Sequence, residues 1–156
     1  MIEKSQITFK RSPNQSARKS KTIDTIIIHA TAGSFDGSVS WMLNPLSNAS
    51  AHYCISKTGE IVQLVDEKYK AWHAGDSSWN GKRDLNQNSI GIELENKNDG
   101  KDPYPEEQIN CLVDLVKWIK MRHKIKDVLG HNQIAPKRKT DPGPMFPWDK
   151  FREAIK

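Results

Sequence analysis

Three side chains spread across this sequence are of the types that hold a catalytic metal: His29, His131 and Asp141. His29 ends the run TIDTIIIH, and His131 follows the short stretch DVLG. Both runs read as strands, and the strand ends of an open α/β sheet are where functional side chains gather. Asp141 lies in GHNQIAPKRKTDPG, ten positions after His131, where a proline and glycines let the chain curl back. Two histidines and a carboxylate form a standard catalytic zinc set, with a fourth position left for water. Spacing alone leaves a second reading open. A strand-end histidine is also a common hydrogen-bonded structural residue, and Asp before Pro is ordinary turn chemistry.

The elements that must position these residues can be read from periodicity. TIDTIIIHATAG has the β-branched run of a buried central strand. SVSWMLNP gives a short helix carrying Trp41 and Leu43, stopped by Pro45. AHYCISKTGEIVQLV reads as a hairpin turning at Thr58 and Gly59. NSIGIELEN is a strand in which Ile90, Ile92 and Leu94 alternate with Gly91, Glu93 and Glu95. YPEEQINCLVDLVKWIKMRHKI predicts a helix with Pro105 in its first turn and two glutamates at the positive end of the dipole. Its apolar stripe is Ile109, Leu112, Val113, Val116 and Ile119. DVLG is a short strand and PWDKFREAI a closing helix. The order implies an α/β fold, a central mixed β-sheet flanked by helices in one domain.

Length and composition agree with that fold. A chain of 156 residues has room for one ordinary core. Its net charge of +5 comes from 24 basic and 19 acidic residues. Lys10, Arg11, Arg18, Lys19 and Lys21 place part of the excess in residues 1–21, read as a basic arm packed on a domain of residues 22–156. A basic balance favours anionic partners such as nucleic acid, a membrane surface or an acidic polymer, and it also fits a solvated basic face. No nucleic-acid motif accompanies the charge. No apolar run approaches a membrane span. MIEKSQITFKRS lacks the apolar core of a secretory signal, so the expected location is cytoplasmic. A removed leader or a phage holin would make it periplasmic, secreted or phage-released. Cys54 and Cys111 form no CxxC pair and read as two buried thiols in a reducing compartment.

Six segments in order sharpen the picture: IIIHATAG, SAHYCISKTGEIVQLVDE, AWHAG, NQNSIGIELEN, GHNQIAPKRKTDPG and FPW. Across residues 20 to 156 the chain resembles the zinc-dependent N-acetylmuramoyl-L-alanine amidases of the AmpD type, the amidase_2 family. That superfamily also includes the phage lysozyme-like amidases and the peptidoglycan recognition proteins. The resemblance implies zinc ligands at His29, His131 and Asp141, and catalytic residues at Glu93 and Lys139. Phage members carry Cys where Asp141 stands, so the acidic ligand points to the bacterial branch. It further implies a peptidoglycan or muropeptide substrate, with no nucleic acid or membrane partner and a monomeric chain. A module of the same fold that binds muropeptides without cutting them is the alternative.

The implied reaction is hydrolysis of the amide joining the lactyl group of N-acetylmuramic acid to L-alanine. It needs an activated water and a sink for charge on the carbonyl oxygen, both of which zinc provides. Glu93 would move the proton and Lys139 would face the oxyanion. Glu95 shares the strand, so which carboxylate faces the metal stays open. His52, His73, Trp79 and Asn86 fall in or beside the motifs and are expected to line or brace the substrate groove. Lys137 and Arg138 are assigned to the surface and His123 to a helix end. Asp84 stands where members specialised for anhydro-sugars carry Arg, which leaves a broader amidase open.

Overall fold

The computed structural model describes residues 2–156. Ten strands form: β1 (Ile7–Phe9), β2 (Gln15–Ala17), β3 (Thr25–Ala30), β4 (Tyr53–Ile55), β5 (Ile61–Gln63), β6 (Tyr69–Ala71), β7 (Ser78–Trp79), β8 (Lys82–Arg83), β9 (Ser89–Leu94) and β10 (Asp127–Gly130). The helices are α1 (Phe35–Leu43), α2 (Glu106–Lys120), α3 (His131–Ile134) and α4 (Trp148–Ala154). Six strands make one mixed sheet in the order β1-β5-β4-β9-β3-β10. Only the β4–β5 hairpin within it is antiparallel; the other four pairings are parallel. The mixed sheet flanked by helices that the sequence predicts is the fold that forms.

Every residue of β3 is buried, because it lies between β9 and β10 with both faces covered. Alternation then divides the run of isoleucines. Ile26 and Ile28 join Ile90, Ile92 and Leu94 on the face beneath α2 and α4, in one cluster with Leu112, Leu115, Val116, Ile119 and Phe151. Each such fully buried aliphatic side chain contributes about 1.5–3 kcal/mol relative to exposure. Ile27 faces the other way, onto Ala74, Leu85, Leu129 and Ile134. His29 shares the Ile27 side of the strand and is paired in register with Glu93 of β9. One side of the sheet therefore carries the main core, and the opposite side carries the candidate chemistry.

Several details differ from the sequence reading. Pro105 is the residue before α2 rather than within it, and Leu115 takes the buried position expected of Val113, which is half-buried. The helix α1 starts at Phe35, where the Ser34 hydroxyl accepts from the Gly37 backbone N–H at 3.1 Å. Residues 2–21 are more than a covering arm. They supply β1 to the sheet edge, β2 to a small sheet with β6, and Ile2 to the main core. Arg18 is threaded inward and donates to the carbonyls of Glu67, Asn86, Gln87 and Ser89 at 2.9–3.1 Å. Three-residue strands of such mixed polarity carry no period long enough to read. Among the described residues Cys54 is a buried free thiol and Cys111 a half-buried one, and burial pushes both thiols upward. No helix among them is long and apolar enough to cross a membrane.

His52 ties β4 to β9 from within the core. It is fully buried, and its Nδ1 accepts from the Gly91 N–H at 3.1 Å while Nε2 donates to the Tyr69 carbonyl at 2.9 Å. Burial, followed by the Arg18 charge, lowers its pKa from 6.5 to about 4. Above pH 6.5 this shift contributes nothing, since both folded and unfolded forms are neutral. As pH falls toward 4 the unfolded chain takes the proton and the folded chain does not, a loss of about 3 kcal/mol from this residue. Urea unfolding of the metal-free protein at pH 7 and pH 4.5 checks it. A His52→Asn variant, which keeps the acceptor for Gly91, loses about 2–3 kcal/mol less over that interval.

Candidate metal centre and active site

His29, the fifth residue of β3, sits beside His131, the first residue of α3 directly after β10. Parallel pairing of the two strands brings these ends together. Their Nδ1 atoms are 2.9 Å apart. Asp141 returns to the same point: its carboxylate lies 3.4 Å from His29 Nδ1 and 3.3 Å from His131 Nδ1. The Ala30 backbone N–H donates to Asp141 Oδ2 at 3.2 Å, and the Asn132 N–H to the Asp141 carbonyl at 2.9 Å. All three side chains are buried, and one donor atom of each lies within 4.8 Å of the others.

Gly130 makes the approach possible. A Cβ there would stand 2.5 Å from Asn132 Oδ1 and 2.8 Å from Pro142 Cδ. Any other residue would push the Asp141–Pro142 turn away from β10. The Tyr104 hydroxyl donates to the Pro142 carbonyl at 2.6 Å and holds the turn from the other side.

The donor set fits a metal ion on its own chemistry. The Nε2 of His131 donates to the Ala74 carbonyl at 3.0 Å, so its proton is on Nε2 and a lone pair is left on Nδ1. Burial is the main cause that lowers His29 to about 4, so it is neutral at pH 7. For Asp141 burial acts upward, but the adjacent imidazoles of His131 and then His29 outweigh it and hold the carboxyl well below its usual range. Two imidazole nitrogens and a carboxylate thus turn their electron pairs toward one point, an arrangement a cation stabilises.

Glu93 reaches this point from β9. Its Oε1 is 4.0 Å from His29 Nδ1, its side chain is 18% exposed, and its buried Oε2 has no hydrogen-bond partner. Burial, then the Asp141 charge, pushes Glu93 up to about 8, with Lys139 acting in the opposite direction. Glu95 does not compete for the position. Its two oxygens accept from the backbone N–H groups of Lys57 at 2.9 Å and Phe35 at 3.2 Å.

A cleft of about 750 Å³ opens over the triad and is walled by Glu93, Lys139, His73, Trp72 and Trp41. Other residues singled out from sequence lie elsewhere. Trp79 packs on the small cluster of Ile27, Ala74, Leu85, Leu129 and Ile134, and His52 lies fully buried in the core. Neither reaches the cleft. Asn86 braces a loop, its Oδ1 accepting from the N–H groups of His73 at 3.1 Å and Ala74 at 2.8 Å. Arg138, assigned to the surface from sequence, lines the cleft and donates to the carbonyls of Ala74 at 3.1 Å and Asp76 at 2.6 Å. Trp41, 57% exposed at the cleft wall, went unread as a site residue because an apolar residue in a short helix looks like core.

Comparison with known proteins decides the family. The Amidase_2 family model, described as N-acetylmuramoyl-L-alanine amidase, matches residues 19–144. The chain belongs to this family. It is similar to the N-acetylmuramoyl-L-alanine amidase AmiD of Escherichia coli (strain K12), 40% identical over 147 residues that cover 84% of this chain and 52% of AmiD. The chain thus spans about half the length of that relative. The crystal structure of a selenomethionine AmpD derivative superposes with a TM-score of 0.84 at 32% identity, covering 97% of this chain and 96% of the other. AmiD from E. coli, solved in complex with the substrate anhydro-N-acetylmuramic acid-L-Ala-D-gamma-Glu-L-Lys, gives 0.81 at 38% identity, covering 89% of this chain and 60% of that one.

Proposed function

We propose that this chain is a zinc-dependent amidase that hydrolyses the bond between the lactyl group of N-acetylmuramic acid and L-alanine in peptidoglycan or its fragments. The observation that carries the reading is the convergence of His29, His131 and Asp141 at the floor of an open cleft, with Glu93 Oε1 4.0 Å from His29. Family membership and the substrate named for the AmiD complex support the choice of bond.

His29 and His131 through Nδ1, and Asp141 through its carboxylate, are the residues that would hold the ion. Zinc bound there supplies Lewis acidity, polarising the scissile carbonyl and easing deprotonation of water. Glu93 is the base: standing 4.0 Å from His29 with a buried oxygen that has no other partner, it takes a proton from the attacking water and returns it to the leaving amine. As the water oxygen bonds to the carbonyl carbon, negative charge builds on the carbonyl oxygen. Lys139 places a positive charge in the same cleft, where that oxygen is stabilised. Cleavage of the C–N bond leaves the muramyl carboxylate and the free α-amine of an L-Ala-led peptide.

Digestion of sacculi and of 1,6-anhydro-muropeptides, read by mass spectrometry, tests the proposal. Protein carrying about one zinc per chain is expected to release L-Ala-led peptides, and a chelator to stop the release. Tight muropeptide binding with no release at any metal loading would instead make the chain a binding module.

A further inference from the structure

Each imidazole of the triad turns Nδ1 toward Asp141 and leaves Nε2 to be held from behind. A single loop holds both. Its Ala74 carbonyl accepts from His131 Nε2 at 3.0 Å, and the adjacent His73 places its Nδ1 2.9 Å from His29 Nε2. We propose that His73 is a positioning residue for the metal: its Nδ1 accepts the Nε2 proton of His29 and fixes the tautomer in which His29 Nδ1 offers a lone pair to zinc. This rests on the zinc amidase reading above.

The hydrogen-bond chain is consistent from end to end. With Nδ1 accepting, His73 carries its own proton on Nε2, which lies 3.1 Å from Ser89 Oγ and donates to it. Ser89 and Gly91 stand on the side of β9 that bears Glu93, and the strand is hollowed there to admit the ring. A Cβ on Gly91 would lie 2.5 Å from His73 Cγ, so only glycine leaves the imidazole its place. The backbone of the loop is fixed as well, by Asn86 Oδ1 accepting from His73 and Ala74. Both ring nitrogens of His73 are thereby engaged, and the residue forms cleft wall without a free nitrogen for substrate. Partners of this kind, behind the ligating histidines, set ring orientation and ligand basicity.

Asparagine and glutamine separate this role from simple filling of space. His73→Asn carries an oxygen near the place of Nδ1, whereas His73→Gln carries its polar end near the place of Nε2. Zinc affinity, measured by competition with a chromophoric chelator, is expected to fall about 10–100-fold in His73→Gln and to stay close to wild type in His73→Asn. The visible spectrum of the cobalt-substituted protein should move in the first variant and not in the second. Ser89→Ala should give a smaller loss of affinity in the same direction, and thermal melts of the chelated proteins report packing separately. Equal zinc affinity in wild type and His73→Gln overturns the proposal. So does an equal loss in both variants matched by an equal drop in their metal-free melting temperatures. A wild-type chain that binds no zinc overturns the amidase reading and this one with it.

Discussion

Replacing Asp141 by alanine is expected to abolish the proposed metal binding and all turnover. The Asp141 side chain is 8% exposed and its carboxylate sits between two imidazoles at 3.3 and 3.4 Å, so it is the anionic member of the donor set. Without it only two imidazole nitrogens remain, and the loss of affinity is expected to exceed the roughly 10–100-fold typical of partners behind the ligands. Elemental analysis of the purified variant should fall from about one zinc per chain to background. The fold is expected to survive, because the chief structural loss is one hydrogen bond from the Ala30 N–H, about 1.5–3 kcal/mol. Asp141→Cys is the control, since a thiolate is also a zinc ligand and should restore metal. An alanine variant that kept both metal and activity would remove Asp141 from the site.

The second large effect concerns Glu93. Glu93→Gln keeps the shape of the side chain and removes its capacity to carry the proton, so kcat is expected to fall about 10²–10⁴-fold. Zinc content and KM should change little, because Glu93 stands 4.0 Å from His29 Nδ1 and none of the three donor groups is altered. Lys139→Ala gives a useful contrast. It removes a charge that acts on Glu93 and, in the proposed mechanism, on the developing oxyanion, with an expected loss of about 10²–10³-fold and metal retained. Steady-state kinetics with parallel metal analysis separates the two from Asp141→Ala. A Glu93→Gln enzyme of undiminished kcat would transfer the base to another group.

The contrast between Glu93 and Glu95 shows where strand periodicity stops being informative. Two residues apart, they read from alternation as sharing one strand face, yet β9 ends at Leu94 and Glu95 lies just beyond it. Only the folded chain shows that the backbone of Lys57 and Phe35 occupies Glu95, while Glu93 is left with a buried Oε2 without a partner and with Oε1 4.0 Å from His29 Nδ1. Arg138 makes the same point in reverse. In KRK it reads as one more surface cation, and its bonds to Ala74 and Asp76 depend on a loop some sixty positions away. Trp79 and His52 looked like groove residues because they lie in or beside the motifs, yet packing turns both inward. Gly91 carried a signal that could have been used, since a glycine between isoleucines in a strand marks a close approach, here by His73.

What the sequence determined by itself was the set of strongly periodic elements and the motif residues. The β-branched run of β3, the alternation in β9 and the apolar stripe of α2 are local patterns, enforced by burial along each element. The types of the candidate ligands follow from the same text. What only the tertiary structure decided was which nitrogen of each histidine faces Asp141, which glutamate joins them and what stands behind the rings. Those choices come from the parallel register of β3, β9 and β10 and from loops closing across 44 to 111 positions of chain. Contacts at that separation are set by the packing of the whole domain, and no local pattern records them.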